Sequence, residues 1–296
     1  GLLKIVKHYS KYNTHHIHYI CCVMQINFSK YQGTGNDFIL LNNMDGKYDD
    51  IGEDEVKFLC DRKFGIGSDG IILLNKSAMY DFYMNFSNPD GSKSFCGNGA
   101  RCAVKFAGDN GLLSAHNLSF EAIDGVHSAE LCSDDVKLEM TAVDFPQQIS
   151  LEALDSIPFI NGLFMDTGSP HLMLAVDSLK ELETENLIKI GRQIRYSKNY
   201  EENGVNVNMV FEHASNELSI ATYERGVENE TLSCGTGATA CALIQAAKEM
   251  NHSGLIRVRT KGGLLQVSYE SNGKSKFTKV HLIGPAKFIY EGTVEI

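Results

Sequence analysis

The chain has 296 residues, with 27 Lys and Arg against 37 Asp and Glu, and a formal net charge of −10. That balance argues against a nucleic-acid partner, and 43% apolar with 22% charged residues is the composition of a soluble globular protein. Only five prolines, and no apolar run of the ~20 residues that span a bilayer, disfavour a disordered or membrane-embedded chain. The length suggests about two domains and a core that needs no disulfides, so the eight unevenly spaced cysteines read as free thiols in a reducing, cytoplasmic compartment.

From the N-terminus, residues 1–23 carry four His and no acid, and match neither a secretory signal nor an Arg- and Ser-rich transit peptide. They are expected to be a dispensable extension ahead of the strand-like run that opens at Met24. Short β-like runs follow at Phe38 to Leu41, Gly70 to Leu74, Tyr80 to Phe86 and Lys137 to Thr141, broken by Gly, Asn and Asp. Gly65-Ile66-Gly67-Ser68-Asp69-Gly70 satisfies the dinucleotide fingerprint. It comes after the helix-like Asp54 to Arg62 and before a strand, the reverse of the required order, so it is expected to be a turn. Two segments stand out as helices: Asn98 to Gly108, with Ala100, Val104 and Ala107 at helical spacing, and the Ala-rich Ala238 to Met250.

Both helices begin just after a cysteine and glycines. Cys96-Gly97-Asn98-Gly99-Ala100 and Cys234-Gly235-Thr236-Gly237-Ala238 share the pattern Cys-Gly-x-Gly-Ala, about 138 residues apart, which points to an internal duplication. A pseudo-two-fold arrangement would then face two helix N-termini across one cleft. Each offers unpaired N–H donors and a partial positive charge, suited to a carboxylate ligand and to lowering the pKa of a nearby thiol. Two thiols on either side of an α-carbon are what a racemase or epimerase needs, one taking the proton and the other giving one, with no pyridoxal phosphate or metal. Taken singly, either cysteine reads as a small buried hydrophobe, and it is the repeat that favours chemistry. Cys102 and Cys241, inside the helices, read as packing residues. The Cys spacings do not suit zinc. A Cys–His hydrolase using His171 would have no role for the second cysteine.

With Gly33-Thr34-Gly35-Asn36-Asp37-Phe38, Asn88-Pro89-Asp90-Gly91, Cys96 to Cys102, Gly204-Val205-Asn206, Glu224-Arg225-Gly226 and Cys234 to Gly237, the chain resembles the diaminopimelate epimerase family over nearly all of residues 24–296. The resemblance implies an α/β fold of two pseudo-symmetric domains, each a β-barrel-like sheet around a central helix, with the active site between them and the final strand returning to the first domain. Residues 24–144 with 283–296 would form one domain and 145–282 the other. It also implies cofactor-independent interconversion of LL- and meso-diaminopimelate in lysine and peptidoglycan precursor synthesis. The partner would be this small molecule, with no nucleic acid and no membrane, and a homodimer is entertained as the assembly. Carried over by position, Cys96 and Cys234 look like the acid/base pair, and Gly97, Asn98, Gly235 and Thr236 like the groups at the reacting carboxylate. Asn36, Asn88, Asn206, Glu224 and Arg225 look like substrate-holding residues, chiefly toward the distal amino acid end.

The sequence departs from the family pattern at Ser169, where some members have Asn, and at Gly70, where some have Gln. The Asn88–Cys96 stretch is one residue shorter than expected, and the Glu224–Cys234 stretch is one longer than in some members. The rival readings are a proline or hydroxyproline racemase, which usually has His at the place of Asn98, a phenazine-type isomerase, which lacks paired thiols, and a non-catalytic amino acid binding protein.

Overall fold

The computed structural model describes residues 24–296 apart from 114, 153, 155, 156, 201 and 274; the expected N-terminal extension lies outside the described residues. The first half runs β1 (Gln25–Gly33), β2 (Asn36–Asn43), α1 (Glu53–Cys60), β3 (Ile71–Asn75), β4 (Phe82–Ser87), α2 (Gly97–Asp109), β5 (Asn117–Ala122), β6 (Gly125–Cys132) and β7 (Asp135–Met140). Two short strands follow, β8 (Val143–Asp144) and β9 (Gln147–Ser150). The second half runs β10 (Asn161–Asp166), β11 (Pro170–Val176), α3 (Thr184–Arg195), β12 (Asn206–Ala214), β13 (Glu217–Glu224), β14 (Asn229–Thr231), α4 (Gly235–Lys248), β15 (Ser253–Thr260), β16 (Gly263–Ser271) and β17 (Lys276–Pro285), and β18 (Lys287–Glu295) closes the chain.

The pairing is the same in both halves. An antiparallel β1–β2 pair, a parallel β2–β3 step across α1, an antiparallel β3–β4 pair and a parallel β4–β5 step across α2 lead to β6 and β7. In the second half β10–β11, β11–β12 across α3, β12–β13 and β13–β15 across α4 repeat the sequence of steps and lead to β16 and β17. The halves join through antiparallel β7–β17, and each gives one strand to the other: β9 pairs with β10, and the terminal β18 returns to β1. The duplication read from the two Cys-Gly-x-Gly-Ala motifs is therefore a duplication of topology.

The parallel steps bury both sheet faces, which explains the unbroken apolar runs at Phe38 to Leu41 and Leu172 to Leu174. On β2, Phe38 and Leu40 pack toward α2, while Ile39 and Leu41 pack toward α1 with Val56 and Leu59. On β11, Met173 joins the core of α4, and Leu172 and Leu174 join that of α3 with Leu187, Ile190 and Ile194. A helix wrapped by a sheet must be slim and apolar on nearly every side. α2 meets this with Ala100, Ala103, Val104 and Ala107, and α4 with Ala238, Ala240, Ala242 and Ala246, all buried. The expected turn at Gly65 to Gly70 is a turn, with Gly67 at φ 81°. None of the helices is long and apolar enough to cross a membrane among the described residues.

Candidate active site

Cys96 and Cys234 occupy the same position in the two halves. Each is the N-cap of its buried helix, with nearly identical extended backbone (φ −134°, ψ 114° and φ −122°, ψ 113°), and neither helix has a side-chain cap or an acidic residue in its first turn. The first intrahelical bonds run from Ala100 N–H to Cys96 O and from Ala238 N–H to Cys234 O. The N–H groups of Gly97, Asn98 and Gly99, and of Gly235, Thr236 and Gly237, come before these bonds and have no carbonyl acceptor within the helix; those of Asn98 and Gly99 turn to the Cys96 sulfur and that of Gly237 to the Cys234 sulfur. Inside a protein an uncapped start of this kind is a prepared anion site. A Cβ at Gly235 would lie 2.8 Å from the end of the Leu282 side chain, so a larger residue here would have to displace that leucine.

Two hydrogen bonds, both to Ser233, bring the two helix ends together. Asn98 Nδ2 donates to Asn36 Oδ1 and, at 3.3 Å, to the carbonyl of Ser233, one residue before Cys234. Thr34, in the β1–β2 turn, donates its hydroxyl to Ser233 Oγ at 3.0 Å. A Cβ at Gly262 would lie 1.8 Å from Thr34 O, so the turn is seated in the second half. Asn36 Nδ2 in turn donates to Asp69 Oδ2 at 3.1 Å, and Arg62 spans Asp69 and Asp37. The turn that only mimics a dinucleotide motif thus supports Asn36.

Behind Cys234 lies a polar chain whose directions can be assigned. Thr222 Oγ1 donates to Asn208 Oδ1 at 2.9 Å, so Asn208 Nδ2, at 3.0 Å, donates to His171 Nδ1. The His171 proton is then on Nε2, which donates to Thr236 Oγ1 at 2.9 Å and frees that hydroxyl to donate to Cys234 Sγ at 3.4 Å. His171 is fully buried, which pushes its pKa down to about 3 and holds the imidazole neutral. It meets the sulfur through Thr236 rather than as the base of a Cys–His pair.

Asn206 Oδ1 accepts from Arg225 N–H at 2.8 Å, while its Nδ2 donates to Ser169 Oγ at 2.8 Å and Pro170 O at 3.0 Å. Ser169, a departure from the family pattern, therefore holds Asn206 in place. The Arg225 guanidinium donates to Asn203 O at 2.5 Å. The charge of Glu224 raises both thiols, and burial raises its own carboxyl. The Asn88 side chain donates to Ser92 O, Ser92 Oγ and Ser94 Oγ, so it shapes the loop leading into Cys96. At Gly70 a Cβ would lie 2.3 Å from the Phe86 ring, which leaves no room for a longer side chain.

One expectation is corrected. Helix ends lower thiol pKa values, but burial outweighs them here: Cys96 is pushed up, and Cys234 is pushed up to about 12 despite the bonds from Thr236 and the Gly237 N–H. Cys102 and Cys241 are sealed in the two helix cores, as packing residues would be. Sequence reasoning gave no role to Thr34, Ser233, Asn208 or Thr222; His171 came up only as a base, and Thr34 only within the glycine-rich motif. Among the described residues no group of three or more His, Cys, Asp or Glu could hold a metal ion. A cavity of about 730 Å³ lined by Asp81, Glu130, Lys137 and His281 includes neither thiol.

The model of the family described as diaminopimelate epimerase matches residues 28–146 and 163–289. A diaminopimelate epimerase of Flavobacterium psychrophilum is 41% identical over 90% of this chain and 98% of its own length, and one of Aquifex aeolicus is 36% identical over 90% and 96%. Among solved structures, a phenazine biosynthesis protein of the PhzF family from Bacillus anthracis superposes with TM-score 0.71 at 16% identity, covering 92% of this chain and 99% of that one. A hydroxyproline epimerase from Agrobacterium vitis gives 0.66 at 16%, covering 92% and 91%. At such identities the two structures share the fold alone, whereas the matched motifs and the coverage in both halves decide the family: the chain belongs to the diaminopimelate epimerases.

Proposed function

We propose that the chain interconverts LL- and meso-diaminopimelate by proton transfer between Cys96 and Cys234, without a cofactor. The observation that carries this reading is the pair of uncapped helix N-termini, each opening on a cysteine with nearly the same backbone geometry. The α-carboxylate takes the orphan N–H groups of Gly97 and Asn98 and of Gly235 and Thr236, and its charge is met by two helix dipoles. Glu224, whose charge acts on both sulfurs, suits the ammonium on the reacting carbon. Asn36, Asn88, Asn206 and Arg225 hold the distal amino acid end, where Arg225 offers a fork for a carboxylate.

In the forward direction the thiolate of one cysteine removes the α-proton, and the thiol of the other delivers a proton to the opposite face of the carbanion. The turnover ends with the two protonation states exchanged, and the reverse reaction begins from there. The six described cysteines are free, which fits a reducing cytoplasm and a place in lysine and peptidoglycan precursor synthesis. A homodimer is part of the same proposal, and β18 offers Phe288, Ile289 and Tyr290, all exposed, as a face for it.

The test is exchange of the α-proton of diaminopimelate with deuterated water, in the presence of pure protein and a reductant. Deuterium enters both isomers if the reading is right. A reduced, folded protein that binds diaminopimelate without any exchange would be a binding protein instead.

A further inference from the structure

The β1–β2 turn and its counterpart in the second half, the β10–β11 turn, both carry Thr-Gly: Thr34-Gly35 and Thr167-Gly168, with the two glycines at φ 97° and 94°. Only the first of these turns is packed against another segment at its glycine. A Cβ at Gly35 would lie 2.8 Å from the Leu232 side chain, whereas one at Gly168 would meet nothing within 4 Å. Thr34 is buried and stands at φ 49°, in a region that β-branched residues rarely enter. With glycine on either side, the turn itself does not call for threonine, and what Thr34 adds is its side chain.

The direction of its bonds is fixed. Arg101 Nη2 can only donate, so Thr34 Oγ1 accepts from it at 3.0 Å and gives its own proton to Ser233 Oγ at 3.0 Å. The carbonyl of Ser233 accepts from Asn98 Nδ2 at 3.3 Å. Ser233, buried and next to Cys234, is thus held from the first half at both its hydroxyl and its carbonyl. Asn98 and Arg101 belong to α2, the helix that Cys96 caps, so both holds lead back to the helix of the other thiol.

The corresponding places in the repeat stay within their own halves. The residue before Cys96 is Phe95, whose ring stacks on His127 at a centroid distance of 4.0 Å. Thr167 gives its hydroxyl to the carbonyl of Thr236 at 2.9 Å. The approach to Cys96 is therefore set by its own half, and the approach to Cys234 by the opposite one.

We propose that Thr34 and Ser233 are positioning residues of the two-thiol site: the bond between their hydroxyls is a one-sided clasp that keeps Cys234 in register with Cys96 across the α-carbon. The proposal rests on the two-thiol reading above. Inversion needs both sulfurs aligned on one carbon, whereas taking a proton and returning one to the same face needs a single sulfur. A loosened clasp therefore favours return over inversion.

The whole chain with LL-diaminopimelate and a reductant in deuterated water gives two initial rates: the appearance of the meso isomer, and the entry of deuterium into recovered LL isomer. Ser233→Ala breaks the clasp and leaves the bonds from Arg101 to Thr34 and from Asn98 to the carbonyl at 233 in place. It lowers the first rate about tenfold and raises the ratio of the second to the first by about threefold or more. Thr34→Val breaks the same bond from the other side and raises the ratio likewise. The double variant goes no further than Thr34→Val alone, because the two residues act through one bond. Thr34→Ser, which keeps the hydroxyl, keeps the ratio of the unaltered chain. A folded Ser233→Ala or Thr34→Val protein with an unchanged ratio, even a slower one, overturns the proposal, and so do losses that multiply in the double variant. Failure of the two-thiol reading is distinguishable, since Cys96→Ala and Cys234→Ala would then both turn over diaminopimelate normally, whatever the clasp variants show.

Discussion

Thr236→Val removes one hydroxyl from α4 and keeps the volume and the backbone N–H that the proposed carboxylate site needs. Two bonds go with it: His171 Nε2 to Thr236 Oγ1 at 2.9 Å and Thr236 Oγ1 to Cys234 Sγ at 3.4 Å. The first loss strands a buried donor. Asn206 Nδ2 lies 3.5 Å from the same nitrogen but is itself a donor engaged with Ser169 and Pro170, so it gives no compensation. An unanswered buried polar group costs about 1 to 3 kcal/mol, which lowers the melting temperature by several degrees in a protein of this size. The second loss weakens the Cys234 thiolate, since a hydrogen bond to a charged group is worth about 1.5 to 3 kcal/mol, or roughly one to two pH units. Cys234 is already raised to about 12, and the variant pushes it further up. Epimerisation should therefore fall about 10- to 100-fold, mainly in kcat, whereas Thr236→Ser, which keeps the hydroxyl, should stay near the original rate. Turnover by circular dichroism or deuterium incorporation, together with thermal melts, reads both effects. A Thr236→Val protein with unchanged melting and unchanged turnover would refute the assigned hydrogen-bond directions.

Cys96→Ala and Cys234→Ala should each reduce epimerisation by at least ~10²-fold while keeping the fold, with Cys102→Ala and Cys241→Ala as controls that keep the chemistry; rates and far-ultraviolet dichroism check this. His171 makes the protein acid-sensitive. Its pKa is lowered from 6.5 to about 3, so the unfolded chain binds the extra proton first, and this stability is complete above about pH 6.5 and is lost as pH falls toward 3. The slope is about 1 kcal/mol per pH unit in that window, and urea titrations of the original chain and of His171→Gln should show it flattened in the variant. Gly70→Ala drives a Cβ to 2.3 Å from the Phe86 ring and should cost about 1 to 3 kcal/mol by overpacking, visible as a lowered urea midpoint. Arg225→Met should sharply reduce kcat/KM for diaminopimelate with both thiols retained; an unchanged kcat/KM would remove Arg225 from the distal end.

Much of this molecule was legible locally. The helix starts were marked by a cysteine followed by glycines, and the expected Asn98 to Gly108 appears as α2 (Gly97–Asp109), while Ala238 to Met250 appears as α4 (Gly235–Lys248). Among the strand runs of the first half, Phe38 to Leu41 and Gly70 to Leu74 are marked by unbroken apolar stretches, and Lys137 to Thr141 by alternation. α3 was not singled out, although Leu187, Ile190 and Ile194 carry the helical period, and Gly191 stands among them. A Cβ at Gly191 would lie 2.5 Å from the Tyr223 ring, so packing requires a residue that propensity disfavours. Nor could the chain from Thr222 through Asn208 and His171 to Thr236 be read, because its members lie on β13, β12, β11 and α4. The parallel β11–β12 pairing that sets His171 opposite Asn206 is not a local property. The expected division at residue 283 falls inside β17, which bonds both β16 and β7.

The reaction asks for two opposite protonation states at two equivalent places, and duplication by itself supplies only the equivalence. The backbone repeats closely, down to the cap dihedrals, so each sulfur sits at a helix N-terminus of the same geometry. The difference must then come from side chains outside the repeated Cys-Gly-x-Gly-Ala. At Cys96 this is the Asn98–Asn36 bond, and at Cys234 it is the Thr236 hydroxyl with the neutral His171 behind it. The hydroxyl can rotate, and a rotatable donor can serve a thiolate or accept from a thiol. Removing it should therefore slow both directions of turnover.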